Sequence, residues 1–195
     1  WQTESSLWLE ATVRNPEVAE AWYGLGDAYR FEEQYEKALD AFVQCVELDA
    51  SYIDGWINVG LLNAQMRKLK KAKEAWREGL KHHKPLLLKC KGKNSITCSQ
   101  LRPKNCKLHN NLGFLAARSK KWRLALIEFH STLNYCPNNI IAHYGLGLLY
   151  SKGPTLQKEK AIRHYQRVLD LIETDTSFPD EKAVEVRRTL LNLTW

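Results

Sequence analysis

The chain has 195 residues, with 29 lysines and arginines against 22 aspartates and glutamates, so its formal net charge is +7. No apolar run approaches the roughly 18–20 residues that a membrane-spanning helix needs. The sequence also has no phosphate-binding loop, nucleophile elbow or helical pair of metal-binding histidines. We therefore expect a chain that is not an enzyme, with no catalytic residue, no bound metal and no cofactor.

A period of 34 residues runs through the chain. The two clearest copies share an aromatic residue, a glycine, an alanine and a second aromatic residue: Trp22, Gly26, Ala38 and Phe42, then Trp56, Gly60, Ala72 and Trp76. A fixed period of this size indicates a stack of small supersecondary units. Small residues at two positions would let helix backbones approach closely, and the aromatic residues would fill the space beside them. We therefore expect the residues at these positions to be core residues and not functional sites.

The pattern Trp-x2-Leu-Gly-x2-Tyr followed by Ala-x3-Phe resembles the tetratricopeptide repeat, a helix–turn–helix unit. The resemblance implies an all-α fold, a superhelix of helical hairpins (an α-solenoid) with about four full repeats plus flanking helices. It organises residues 1–195 as a single array, whose parts are the second helix of a preceding repeat (1–16), repeat one (19–52), repeat two (53–84), a basic insertion (85–105), repeat three (106–139), repeat four (140–175) and a capping or next-repeat helix (180–195). Repeat four has two extra residues around Gly153 and Pro154.

The insertion carries the charge of the chain, because residues 81–107 hold eight lysines and arginines and no acidic residue. Its own cations include Lys89, Lys91, Lys93, Arg102 and Lys104. Three interpretations remain open: a solvated loop, a docking site for an acidic protein segment, or a site for nucleic acid or anionic lipid. The insertion lacks the aromatic residues on which bases usually stack. Leucines 86–88 are predicted to continue the preceding helix or to cover a groove edge.

In proteins of this family the first helix of each repeat lines a concave groove. The resemblance places a partner-binding set there: Tyr23, Asp27, Arg30, Ile57, Asn58, Leu61, Lys107, Asn111, Phe114, Arg118, Tyr144 and Leu148. Its apolar members are predicted to be exposed along the groove. Asn58 and Asn111 occupy the same repeat position, where an amide can pair with the backbone of an extended peptide. Of the clamp that binds the C-terminal peptides of the Hsp70 and Hsp90 chaperones, only Asn58 and Lys107 are present, so we expect no such binding.

Five cysteines, an odd number, and the place of Cys45 at a packing position favour a reducing compartment. We therefore expect a cytoplasmic protein, with the nucleus as an alternative. Cys90, Cys98 and Cys106 lack the close pairs typical of zinc ligands. Residues 192–194 match the acceptor pattern for N-glycosylation, which also occurs by chance. The apolar residues at both ends indicate part of a longer protein or of a larger complex.

Function follows from the class of fold more than from any single residue. The first hypothesis is a non-catalytic protein–protein interaction scaffold that binds an extended or helical partner segment, acidic where it meets the insertion. The second is association with nucleic acid or ribonucleoprotein through the basic insertion. The third is a structural or self-association module of a larger multisubunit complex.

Overall fold

The computed structural model describes residues 3–89, 96–153, 156–173 and 178–194. Within these residues the secondary structure is helical: α1 (Glu4–Arg14), α2 (Ala19–Phe31), α3 (Tyr35–Leu48), α4 (Ile53–Gln65), α5 (Leu69–Leu88), α6 (Ile96–Arg118), α7 (Trp122–Tyr135), α8 (Ile140–Lys152), α9 (Lys158–Ile172) and α10 (Asp180–Thr194). None of the helices in the described part of the chain combines the length and apolar character required to cross a membrane.

The chain forms two compact units, residues 1–104 and residues 105–195. In the first unit, neighbouring helices from α1 to α5 pack in sequence order. In the second unit, α7 packs on α8, α8 on α9, and α9 on α10. Helices α2, α4 and α8 begin at Ala19, Ile53 and Ile140, where the 34-residue period places the starts of three repeats.

The turns inside three repeats share one geometry. Their left-handed residues, Glu33, Arg67 and Lys120, have φ values of 59°, 60° and 55°. In each case the following amide donates to a carbonyl five residues before it, at 2.8 Å: Gln34 to Tyr29, Lys68 to Asn63, and Lys121 to Ala116. This closure ends one helix and redirects the chain into the next. In repeat four the equivalent carbonyl, that of Tyr150, accepts from Gln157 at 3.0 Å, and the longer turn accommodates the two extra residues.

The predicted packing positions are the core. The repeated alanines are fully buried: Ala38, Ala72, Ala125 and Ala161. The repeated glycines each lie against an aromatic ring, and the pairs are Gly26 with Phe42, Gly60 with Trp76, Gly113 with Phe129, and Gly147 with Tyr165. The prediction that these residues are structural is therefore confirmed.

The described parts of the insertion are helical. Helix α5 continues through Leu88, and α6 begins at Ile96, ahead of the predicted start of repeat three at Cys106. The leucines at 86–88 thus extend the preceding helix, as predicted. Lys91 and Lys93 lie outside the described residues.

The cysteines differ from the sequence expectation. Cys106 forms a disulfide with Cys136, with 6.4 Å between their Cα atoms, and Cys98 is also disulfide-bonded. The expectation of reduced cysteines is wrong for these three residues, because the hairpin of repeat three brings Cys106 of α6 beside the end of α7. Cys45 is a free thiol. It is fully buried, and burial raises its pKa to about 12.

Candidate partner-binding surfaces

In the first unit, Tyr23 of α2 and Asn58 of α4 form part of a common surface. The side-chain amide of Asn58 donates to the hydroxyl of Tyr23 over 3.3 Å and so links the two helices. The ring of Tyr23 lies 5.4 Å from that of Phe42 and 5.0 Å from that of Tyr52, measured between centroids. Burial raises the pKa of the Tyr23 hydroxyl, and the carboxylate of Asp27 adds to the shift. Tyr23 is therefore a neutral, fixed part of this surface.

The charged groups of this surface are paired. Arg30 donates to Asp27 through Nη2 at 2.8 Å and Nε at 3.1 Å. Lys104, a cation of the insertion, lies 2.6 Å from Asp54 in the first turn of α4. Both pairs are partly exposed, so each contributes about 1 kcal/mol or less to stability. Their main effect is to leave this part of the surface close to electrically neutral.

The first unit has several exposed apolar side chains, and two of them lie on α2 and α4. Leu61 of α4 is 44% exposed, and Phe31 at the end of α2 is 83% exposed. Ile57, by contrast, is only 6% exposed. Its prediction as an exposed groove residue is wrong, because it shares the buried side of α4 with Ile53 one turn earlier. Leu61 is therefore the exposed apolar member of the predicted set in this unit.

In the second unit, α6 carries four predicted residues with different environments. Lys107 and Arg118 are exposed, and Asn111 is half-buried. The ring of Phe114 packs edge-on against Phe129, with 5.0 Å between centroids, and is also half-buried. Phe114 therefore serves partly as a core residue.

Helix α10 covers the predicted face of α8. Tyr144 is only 6% exposed, because its ring packs 5.6 Å from that of Phe178 and its hydroxyl donates to Glu185 over 3.0 Å. The prediction of an exposed Tyr144 is therefore wrong. Lys152 also donates to Glu185, at 3.0 Å, and these two bonds lower the pKa of the Glu185 carboxyl. Leu148 remains half-buried beside the core.

Glu185 and Phe178 were not among the predicted site residues. The apolar spacing of Ala183 and Val186, both buried, was the available signal that α10 packs on the array.

A face rich in cations lies on the exposed side of α5. Lys70, Arg77, Lys81 and Lys84 are exposed and fall on one side of the helix, since their spacings of seven, four and three residues match whole turns, and the exposed Glu74 lies beside them. At a rise of about 1.5 Å per residue, this α5 cationic face is roughly 21 Å long. Within the described residues, only Lys81 of this set forms an ion pair, with Glu78 at 2.9 Å.

Three histidines meet in the second unit, away from the predicted groove. His143 Nδ1 and His164 Nδ1 are 2.9 Å apart, and His130 Nε2 is 3.2 Å from the Tyr150 hydroxyl. His143 Nε2 lies 3.0 Å from the carbonyl of Pro137, which can only accept. Neutral His143 therefore donates through Nε2 and accepts from the Nδ1–H of His164. Burial lowers the pKa of His164 to about 4, and the other two histidines and a nearby lysine add to the effect.

Residues 19–52, which form α2, α3 and the turn after them, match the sequence profile of the tetratricopeptide repeat. The helical hairpins that follow this segment repeat the same glycine–aromatic packing. Residues 19–52 are a tetratricopeptide repeat.

The curated relatives that the chain matches are longer proteins. The BBSome complex member BBS4 homolog of Drosophila melanogaster is 21% identical over 169 residues, covering 76% of this chain and 34% of the relative. Hsp70-Hsp90 organizing protein 1 of Glycine max is 33% identical over 75 residues, covering 38% and 13%. Human protein O-mannosyl-transferase TMTC3 is 29% identical over 76 residues, covering 39% and 8%. The chain thus spans about a third or less of the length of these relatives.

Several solved structures share the fold, among them YrrB, which is described as a tetratricopeptide repeat protein. The pilus biogenesis factor PilW gives a TM-score of 0.70 at 15% identity, covering 96% of this chain and 77% of PilW. MamA gives 0.68 at 17% identity, covering 89% and 90%. YrrB, described as having an unusual peptide-binding site, gives 0.64 at 17% identity, covering 97% and 93%. The all-α helical-hairpin class is therefore confirmed.

Proposed function

We propose that the chain is a non-catalytic scaffold that binds a segment of a partner protein on the inward face of α2 and α4. The observation that carries the proposal is the hydrogen bond from Asn58 to Tyr23, which supports a common surface built from two consecutive repeats. Leu61, one turn after Asn58, adds an exposed apolar side chain. Exposed apolar groups beside fixed polar groups are typical of partner-binding sites.

The chemistry of this surface favours a partner segment that binds through its backbone amides and through one apolar side chain. The half-buried amide of Asn58 still offers a carbonyl oxygen to a peptide amide, and Leu61 offers apolar contact. The pairing of Asp27 with Arg30 and of Asp54 with Lys104 leaves little net charge for steering a charged partner. We therefore expect an acidic segment to bind to other surfaces of the chain and not to the surface formed by α2 and α4.

The test uses a photo-crosslinking amino acid placed at Leu61 in the full-length protein, expressed in the cells that make it. The matched control places the same group at Leu48, which is 43% exposed and lies at the end of α3. We expect a protein crosslinked from Leu61 and not from Leu48, and we expect N58A to reduce its yield several-fold. Identical crosslinks from both positions, or yields unchanged by N58A, would refute the proposal.

A second candidate function is the binding of a polyanion along the α5 cationic face. On this face four exposed cations outnumber Glu74 and Glu78, and a net positive surface attracts phosphates or carboxylates without sequence specificity. The test compares binding of a homopolymer RNA and of poly-glutamate by the wild type, K70E/R77E/K84E, and the control K37E on α3. Binding that survives the triple change, or that is independent of salt, would exclude this function.

A further inference from the structure

Every cysteine that the structure describes is either part of a disulfide or an inaccessible thiol. Cys98 and Cys106 are bonded and nearly fully buried, at 4% and 1% exposure. Cys136, the partner of Cys106, is half-buried. Cys45 is the free thiol of this part of the chain, and it has no exposed surface.

This usage of cysteine is typical of an oxidising compartment. In the cytosol, glutathione and thioredoxin keep thiols reduced, and disulfides there are mostly transient and accessible. The bond between Cys106 and Cys136 joins α6 to the end of α7, and burial shields the Cys106 sulfur from attack by a thiolate. A disulfide that closes a hairpin with one sulfur buried is typical of a structural bond.

In an oxidising secretory compartment, the acceptor pattern Asn192-Leu193-Thr194 can be N-glycosylated. Asn192 and Thr194 are both exposed, in the last turn of α10. The Thr194 hydroxyl donates to the carbonyls of Leu190 and Leu191, at 3.1 and 2.9 Å. The exposed side chain of Asn192 is therefore accessible to a modifying enzyme, while Leu193 between the two exposed residues packs against the core of the second unit.

We infer that the chain folds in an oxidising secretory compartment, where Cys106 and Cys136 are joined and Asn192 carries an N-linked glycan. This inference replaces the cytoplasmic location expected from the count of cysteines. It rests on the cysteine pairing and on the exposure of Asn192 and Thr194. It does not depend on the proposed groove binding.

Both modifications draw on co-reactants of that compartment. The Cys106 and Cys136 thiols lose two protons and two electrons to the disulfide of a thiol oxidoreductase, which leaves as a dithiol. In glycan transfer, the amide nitrogen of Asn192 bonds to C1 of the first sugar of a lipid-linked oligosaccharide and loses a proton. The lipid diphosphate is the leaving group.

The test starts with the full-length protein isolated from the cells that make it, lysed in N-ethylmaleimide. Non-reducing digestion and mass spectrometry then report on Cys106 and Cys136, and peptide N-glycosidase in ¹⁸O-water reports on Asn192. We expect a peptide pair linked through the two cysteines and conversion of Asn192 to labelled aspartate. In the same cells, N192Q and T194A should each remove one glycan-sized step in gel mobility, and T194S should retain it.

Each contrary result has a definite meaning. Alkylated Cys106 and Cys136 in the native protein would overturn the assignment to an oxidising compartment. A linked cysteine pair with an unmodified Asn192 would overturn the glycan site. Because N192Q leaves both cysteines in place, loss of the disulfide in that variant would indicate misfolding, and T194A would then replace it as the test.

Discussion

A Cβ atom added to Gly26 would lie only 2.8 Å from Cδ1 and Cε1 of the Phe42 ring. Phe42 is fully buried, so its ring is enclosed by other residues. The pair holds α2 and α3 together at a distance that a larger residue than glycine would not allow. The same contact recurs in the other three repeats, and it explains why glycine and an aromatic residue return at fixed positions of the 34-residue period.

Substitution of this glycine should therefore destabilise the first unit. Overpacking costs about 1–3 kcal/mol, and alanine recovers about 1 kcal/mol through its better helix propensity. With about 2 kcal/mol for the cost and about 1 kcal/mol for the gain, we expect G26A to lower the free energy of unfolding by about 1 kcal/mol, measured by urea denaturation. The double variant G26A/F42L should recover part of the loss, since leucine is smaller than phenylalanine. A G26A protein as stable as the wild type would contradict this account.

Glycine introduced at a left-handed turn residue should stabilise the first unit. Glu33 has a φ of 59°, a conformation that costs an L-residue about 1 kcal/mol or more and costs glycine little. We expect E33G to raise the free energy of unfolding by about 0.5–1 kcal/mol. The control E36G, in the first turn of α3, should lower it by a similar amount. Equal effects of the two substitutions in denaturation experiments would show that the turn is not strained.

The histidine cluster should make the second unit sensitive to acid. Burial lowers the pKa values of His164, His143 and His130, so below pH 6.5 or so the unfolded chain binds protons that the folded chain excludes. Stability conferred by the neutral cluster is thus complete above about pH 6.5 and is lost as the pH falls toward 4. Lys160 and Arg167 lie nearby and oppose protonation further.

Thermal unfolding followed from pH 7.5 to pH 4.5 tests this expectation. The melting temperature of the wild type should fall steadily below pH 6.5, and the fall should be smaller in H143Q/H164Q. H109Q is the matched control, because His109 lies outside the cluster and pairs with Glu128 at 2.7 Å. A double variant with the same pH dependence as the wild type would exclude the cluster as the cause.

Reduction of the disulfide should weaken the second unit. Cys106 and Cys136 are 30 residues apart in sequence, and a crosslink closing a loop of that size stabilises by about 3–4 kcal/mol in the chain-entropy model. We expect a loss of that order when reductant is added before urea denaturation. C106A/C136A should already show the loss, and any response to reductant that it retains belongs to the disulfide of Cys98. A wild-type protein whose stability is unchanged once mass spectrometry shows Cys106 and Cys136 to be reduced would show that the bond adds no stability.

The ion pair between Lys104 and Asp54 offsets one positive charge of the insertion. Asp54 lies 2.6 Å from the ammonium group, so D54N should release that cation and tighten the binding of poly-glutamate several-fold at low salt. The control D40N removes the same charge from an exposed position on α3. If D54N and D40N bind poly-glutamate equally well, the affinity depends on the net charge of the chain and not on the Lys104–Asp54 pair.

The repeat pattern predicted the hairpins and their cores because each glycine–aromatic contact recurs at a fixed spacing in sequence. It did not predict which inward positions stay accessible. Tyr144 is covered because Phe178 and Glu185, which lie outside the repeat signature, pack over it. Likewise, the partner of Cys106 depends on the position of the end of α7, and the count of cysteines carries no such information.

The Cys106–Cys136 bond also bears on mechanical extension. A chain pulled from its two ends lengthens by about 3.3–3.6 Å for each residue released. The segment of 30 residues between the two sulfurs cannot contribute to that lengthening while the bond is intact. The fully extended oxidised protein would therefore be roughly 100 Å shorter than the reduced one. Under a pulling force, the distance between the two ends of repeat three would stay nearly constant.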